Sequence, residues 1–333
     1  MTPLVVAVGD PAGVGPETIA KAWEARVAHA LTPFVVVGDA RAIEAVWHGP
    51  IARIDDLRTA RRSFDEALPV LSILDAGTIV PGQPSADGAR AAFHALETAT
   101  GLAQSGAARA LVTAPVGKAQ MYHVGFTHPG QTEFVAERCG VARENAVMML
   151  AGPDLRVVPI TTHVPLAAVP GLLSVELILA KVRVTARGLA KNFGIARPRL
   201  AFAGLNPHAG ESGALGREEI EVIEPAIARL RDEGIDIDGP LAADTMFHPR
   251  ARARYDAAIC CYHDQALVPL KTLHFDEGVN ITLGLPIVRT SPDHGTAFGI
   301  AGQDKAHPGA MIAAIAMADA AAGNRQRYAA TCK

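Results

Sequence analysis

The chain reads as an α/β protein with a mostly parallel sheet flanked by helices, and three observations carry that reading. Short apolar runs alternate with longer helical patterns along the sequence. Several of the runs are apolar on both faces, as strands covered on each side are. Hydrophobic residues make up 49% of the 333 residues and aromatics only 5%, which supplies a sizeable core of Ala, Val, Ile and Leu.

The spacing predicts strands over residues 4–8, 34–37, 70–74, 110–113, 147–150, 155–160, 200–203 and 257–262. The first starts at the N-terminus itself, with no charged and then apolar leader before it. It runs into GDPAGVGPE (9–17), whose glycines follow G-x-x-x-G-x-G and not the dinucleotide pattern G-x-G-x-x-G. Pro11 and Pro16 also remove backbone donors that a pyrophosphate would need, so this stretch is read as a tight strand-to-helix turn with Pro16 in the first helical turn. Residues 75–87, with Gly77, Pro81, Gly82 and Pro84, form a loop. Amphipathic helices are expected over 86–104 and 216–233, the second kinked or broken at Pro225. The most apolar helix, 310–322, is too short to span a bilayer and is interrupted by Asp319. No Gly/Ser/Pro linker stands out, which favours two interleaved lobes over separate beads.

The net charge of −3, with no basic run, argues against a nucleic-acid partner. Cys139, Cys260, Cys261 and Cys332 form no C-x-x-C pair, and Cys260 and Cys261 read as small core residues of a strand. A soluble protein of a reducing cytoplasm is expected.

Three histidines stand where apolar strands run out into polar loops: His163, His208 and His263. In an open α/β sheet, ligands sit beyond the carboxyl ends of the strands. Neutral imidazole is a common ligand of divalent metals, so the trio points to one metal site assembled from three loops. Asp264 and Gln265 follow His263 directly. Asp244, between apolar segments, is a candidate for taking a proton or joining the metal shell. Lys271, Asn280 and Arg289 suit a small substrate with phosphate and carboxylate groups, since Arg grips such groups bidentately and Lys as a point charge. The donor-rich loop Ser291-Pro292-Asp293-His294-Gly295-Thr296-Ala297 could line a nucleotide or simply turn the chain.

Taken with GDPAGVGPE, the blocks TAPVGK (113–118), TTHVPL (161–166), NPHAGE (206–211), ADTMF (243–247), YHDQALVPLK (262–271) and GVNITLGLPIVRTSPDHGTAF (278–298) run nearly end to end. Through them the chain resembles the 4-hydroxythreonine-4-phosphate dehydrogenase family of pyridoxal-phosphate synthesis. The resemblance implies a two-lobed fold like that of isocitrate and isopropylmalate dehydrogenases, with a non-Rossmann NAD (or NADP) site. The lobes would be 1–125 plus 285–333, and 126–284, the second carrying the metal ligands and the dimer interface. By position the metal histidines fall on His163, His208 and His263, the third supplied by the other subunit of an obligate homodimer with shared active sites. Substrate contacts fall on Thr132, Lys271, Asn280 and Arg289, and the adenosine loop on His294, Gly295 and Thr296. Phe298-Gly299 stands where relatives in the wider superfamily usually have Pro-Asp.

The family usually has His-Thr before Glu-Phe, whereas here Gln131 precedes Thr132. Gln131 can donate a hydrogen bond but carries no charge and relays no proton. The activity implied is NAD-dependent and metal-dependent oxidation of the 3-hydroxyl of 4-phosphooxy-L-threonine. The resulting 3-oxo acid loses its carboxyl group to give 3-amino-2-oxopropyl phosphate. Lys271 or Asp244 would move the proton, and nitrogen ligands favour Zn²⁺ or Co²⁺, with Mg²⁺ and Mn²⁺ open. Gln131 leaves threonate or erythronate 4-phosphate as alternative substrates. The three histidines alone would equally serve a metal-dependent aldolase or hydrolase.

Overall fold

The computed structural model describes residues 2–331; Cys332 lies outside the described residues. Among them the strands are β1 (Leu4–Ala7), β2 (Phe34–Val37), β3 (Ile51–Ile54), β4 (Leu68–Leu71), β5 (Leu111–Thr113), β6 (Val147–Ala151), β7 (Arg156–Pro159), β8 (Arg199–Ala203), β9 (Asp236–Leu241), β10 (Ala257–Cys260), β11 (Val279–Leu283) and β12 (Arg289–Pro292). They fall into two compact units, one comprising the chain to Gly140 with Leu285–Gly323, the other Val141–Gly284 with the chain from Asn324. The helix Gln131–Arg138, which the sequence groups with the second lobe, thus belongs to the first unit. Its Phe134 packs edge-on against Phe93 of the helix Ala86–Gln104, with ring centroids 5.6 Å apart.

In the first unit the strands run in the order β3-β4-β2-β1-β5-β12, every pair parallel. In the second the order is β11-β6-β7-β10-β8-β9, with β6 antiparallel to both neighbours and the β7-β10-β8-β9 run parallel. The expected α/β architecture is therefore present. β1 and β2 are buried along their whole length, as strands with helices on both faces must be.

Four strands lack a legible apolar run, each for a local reason. β3 is half exposed, and β9 carries two aspartates and Gly239-Pro240. β11 has Asn280 in its second position. In β12 all four residues, Arg289-Thr290-Ser291-Pro292, are buried although none is aliphatic. Burial there is eased where polar atoms find partners, as where Thr290 Oγ1 donates to Ala314 O at 2.9 Å. β4 starts and ends earlier than the 70–74 expected, taking in Pro69 and releasing residues 72–74.

The helix Ala86–Gln104 begins where expected, with Ser85 Oγ accepting from Gly88 N at 3.0 Å as its N-cap. The helix expected over 216–233 with a kink or break at Pro225 is interrupted just upstream of that proline. A π-turn, Glu219–Ile223, precedes an α-helix, Glu224–Asp232, that has Pro225 in its first turn, where a missing N–H costs nothing. The run expected over 310–322 extends to a helix Gly309–Thr331. Among the described residues no helix is long and apolar enough to cross a membrane.

The GDPAGVGPE stretch is the tight turn expected, leading from β1 into the helix Gly15–Glu24. Gly9 has φ +75°, and a Cβ there would lie 2.4 Å from Pro115 O, a backbone atom that cannot swing aside. Gly9→Ala is therefore expected to lower stability by at least about 2 kcal/mol, measured as a fall in the urea midpoint with unchanged slope.

Candidate functional site

In the second unit the carboxyl ends of β7, β10 and β8 are tied together by side chains. Beyond β7, Thr161 donates through N (3.2 Å) and Oγ1 (2.9 Å) to Cys261 O, just beyond β10. Gln265 Oε1 accepts from Cys261 N at 2.6 Å while its Nε2 donates to Gly204 O, beyond β8, at 2.8 Å. Cys261 Sγ donates to Ala203 O at 3.3 Å, and burial pushes both the Cys260 and Cys261 thiols up, so they act as neutral core groups.

These ties bring His163 and His263 together, with ring centroids 5.4 Å apart. His163 is held at φ 54°, a left-handed conformation that non-glycine residues keep only when their surroundings impose it. His263 is not in a loop, as the sequence suggested, but opens a helix, His263–His274, that Pro269 hides from a periodicity search. Its Nδ1 lies 2.7 Å from Asp264 Oδ1, which orients the ring and leaves Nε2 for a ligand. Imidazole nitrogens so arranged suit a borderline divalent ion such as Zn²⁺ or Co²⁺.

His208 does not join them. Among the described residues no group of three His, Cys, Asp or Glu side chains is placed to hold a metal ion. His208 sits in a helical turn, Pro207–Gly213, in which five consecutive residues from His208 to Ser212 have positive φ, making the turn left-handed. Four of those five are not glycine, at about 1–2 kcal/mol each. His208 projects from it with its side chain 68% exposed, and Nδ1 lies 3.2 Å from Glu211 Oε2. The turn packs against Ala243–Thr245, where Asp244 is exposed. Lys271 lies in the last turn of the His263–His274 helix, about 12 Å along its axis from His263. Asn280, on β11, has a buried Oδ1 without a hydrogen-bond partner.

The first unit holds a buried cation. Arg289 is 3% exposed on β12. It donates from Nη2 to Thr113 Oγ1 at 2.7 Å and from Nη1 to Thr132 Oγ1 at 3.1 Å. Burial draws its pKa down to about 10, against the opposing pull of Glu133. A guanidinium so placed is suited to binding an anionic group, which it can grip with more than one N–H. Gln131 Nε2 donates to Ala114 O at 3.1 Å, which anchors the amide beside this group. Thr113, at the end of β5, was not singled out from the sequence, since nothing in TAPVGK marks its hydroxyl as an Arg support.

The loop carrying His294, Gly295 and Thr296 is braced by the N-terminal turn. Thr296 O accepts from Val14 N at 2.9 Å, and Val14 packs with Ala301 and Ala306. Glu17, 2% exposed, accepts from Ala306 N at 2.8 Å and from Lys21 Nζ at 3.0 Å, and Lys21 also donates to Asp304 O and Ala306 O. The GDPAGVGPE turn thus supports the candidate nucleotide loop. A Glu17→Gln exchange weakens the charged acceptor facing Ala306 N, at about 1–3 kcal/mol. Amide exchange at Ala306 should then accelerate at least about tenfold in the folded protein, read by hydrogen–deuterium exchange.

A sequence profile of the family described as pyridoxal phosphate biosynthetic protein PdxA matches residues 29–318. The chain is 58% identical over 329 residues to the 4-hydroxythreonine-4-phosphate dehydrogenase of Zymomonas mobilis, covering 99% of this chain and 98% of that one. Its fold is similar to the crystal structure of 4-hydroxythreonine-4-phosphate dehydrogenase from Klebsiella pneumoniae, at 38% identity and a TM-score of 0.86, over 97% of this chain and 100% of that one. An isocitrate dehydrogenase from Methylococcus capsulatus, 15% identical with a TM-score of 0.50, covers 96% of this chain and 88% of its own and shares the fold. The chain belongs to the PdxA family of pyridoxal phosphate biosynthetic proteins, whose relatives here are named as dehydrogenases.

Proposed function

We propose that this chain is an NAD(P)-dependent, metal-dependent dehydrogenase that oxidises the 3-hydroxyl of 4-phosphooxy-L-threonine. The 3-oxo acid then loses its carboxyl group, giving 3-amino-2-oxopropyl phosphate for pyridoxal 5′-phosphate synthesis. The observation that supports it most directly is the buried Arg289, poised on Thr113 and Thr132 to take an acid group. The dehydrogenase names of the relatives weigh against an aldolase or hydrolase.

His163 and His263 would hold the divalent ion, and His208 would join them from the other subunit of a homodimer. The sequence resemblance puts His263 in the crossing role; the closeness of the His163 and His263 rings within one chain instead supports reading His208 as the residue that crosses. When bound, the ion would supply Lewis acidity at the substrate hydroxyl, and the nicotinamide would supply a hydride acceptor. Arg289 and Thr132 bind an acid group of the substrate, with Lys271 and Asn280 as further contacts. Lys271 or Asp244 moves the proton, and the loop at His294, Gly295 and Thr296 holds the adenosine end of the cofactor. Gln131, neutral and anchored to Ala114 O, is the position at which preference for a threonate or erythronate 4-phosphate would arise.

NADH formation should be selective for 4-phosphooxy-L-threonine over D-threonate and D-erythronate 4-phosphates and abolished by a chelator. Faster turnover of a threonate would move the protein to sugar-acid catabolism, and no turnover of any of them would refute the dehydrogenase reading. Arg289→Met should raise KM at least about tenfold with a smaller effect on kcat. For the shared site, His163→Ala and His208→Ala chains, each inactive alone, should regain about half the wild-type activity in a purified hybrid dimer, because one site is then intact. A hybrid that stays inactive would place His163 and His208 in one chain's site, with His263 coming from the same chain or from the other.

A further inference from the structure

We propose that Glu219 is a positioning residue, which holds the left-handed Pro207–Gly213 turn so that His208 is presented to the site of the partner subunit. This rests on the reading that His208 acts in trans.

Glu219 is 1% exposed and takes a place in an apolar stripe with Ile223, Ala226, Ile227 and Leu230. A carboxylate in such a stripe is costly unless its oxygens are engaged. They are engaged by the His208 turn. Oε1 accepts from Asn206 N at 2.8 Å and Oε2 from Asn206 Nδ2 at 3.0 Å, and Asn206 is the residue from which the turn starts. A Cβ on Gly210, at the centre of the turn, would lie 2.6 Å from Glu219 Oε2, so the carboxylate fills the space beneath it. Five consecutive positive-φ residues do not hold themselves, and the groups packed against them must impose the shape. Glu219 is also the first residue of the π-turn, a local departure from α-geometry of the kind found where one side chain must be re-aimed.

The other two histidines are held by different hydrogen bonds, although the Glu219 carboxylate also borders Gly204, whose carbonyl accepts from Gln265. Thr161, Cys261 and Gln265 position His163 and His263, and none of their hydrogen bonds to one another involves the Glu219 carboxylate. A defect at Glu219 should therefore behave as a defect of His208, delivered to the partner's site.

The test is Glu219→Gln, nearly isosteric, in the full-length dimer. Co²⁺ alone, titrated into the metal-free protein and followed by visible absorption, should bind at least about tenfold more weakly than to wild type. The control Ile223→Val, in the same stripe, should bind Co²⁺ as wild type does. A hybrid of Glu219→Gln with His163→Ala chains should recover activity, whereas a hybrid with His208→Ala chains should not. Asn206→Ala, which removes the Nδ2 donor to Glu219 and Glu218 while leaving the backbone N–H on Oε1, should weaken Co²⁺ binding in the same direction to a smaller extent and decides the matter if Glu219→Gln does not fold. Undiminished Co²⁺ affinity in both variants would overturn the proposal, as would equal behaviour of the two hybrids. If His163→Ala and His208→Ala fail to complement each other, the trans reading falls and this proposal with it. If they complement while Glu219→Gln and His163→Ala do not, the proposal alone falls.

Discussion

The candidate site of the second unit depends on parallel strand ends being held level. β7, β10 and β8 are adjacent and parallel, so their carboxyl ends emerge on one side and the loops that follow share one neighbourhood. The Gln265 amide and the Cys261 peptide group then fix the spacing of those ends with short hydrogen bonds. Without that tie, two histidines a hundred residues apart in the chain would have no reason to keep their rings in contact.

Some of the buried polar side chains of this largely apolar core lie where chemistry is proposed. Most of the core is aliphatic, yet Arg289 and Glu219 are buried as completely as the valines around them. Burying such groups is expensive, and hydrogen bonds offset part of the cost: to hydroxyls for Arg289, from amide N–H groups for Glu219. The same economy shapes the backbone, where left-handed non-glycine residues gather at His163 and along His208–Ser212.

The sequence exposed the site residues more clearly than the elements that carry them. His163, His208 and His263 stood out because each follows an apolar run. Arg289 was legible as a candidate, but its strand was not, since Arg-Thr-Ser-Pro has neither alternation nor an aliphatic side chain. The helix at His263 was masked by Pro269, and the helix around Pro225 was read as kinked because sequence alone does not reveal a π-turn ahead of the proline. Glu219 did leave a trace: an acid at the head of an i, i+4, i+7, i+11 stripe of apolar residues, unremarked among its glutamate neighbours.

By itself the sequence determined the α/β class, the alternation of buried strands with helices, and the residue types available for metal and anion binding. These follow from hydrophobic period and side-chain chemistry, which are local properties. Tertiary structure decided which of those residues meet. Ring contact between His163 and His263, the separation of His208 from them, and the burial of Arg289 against Thr113 all depend on strand order and register. Those are set by the packing of segments far apart in the chain, and no local pattern encodes them.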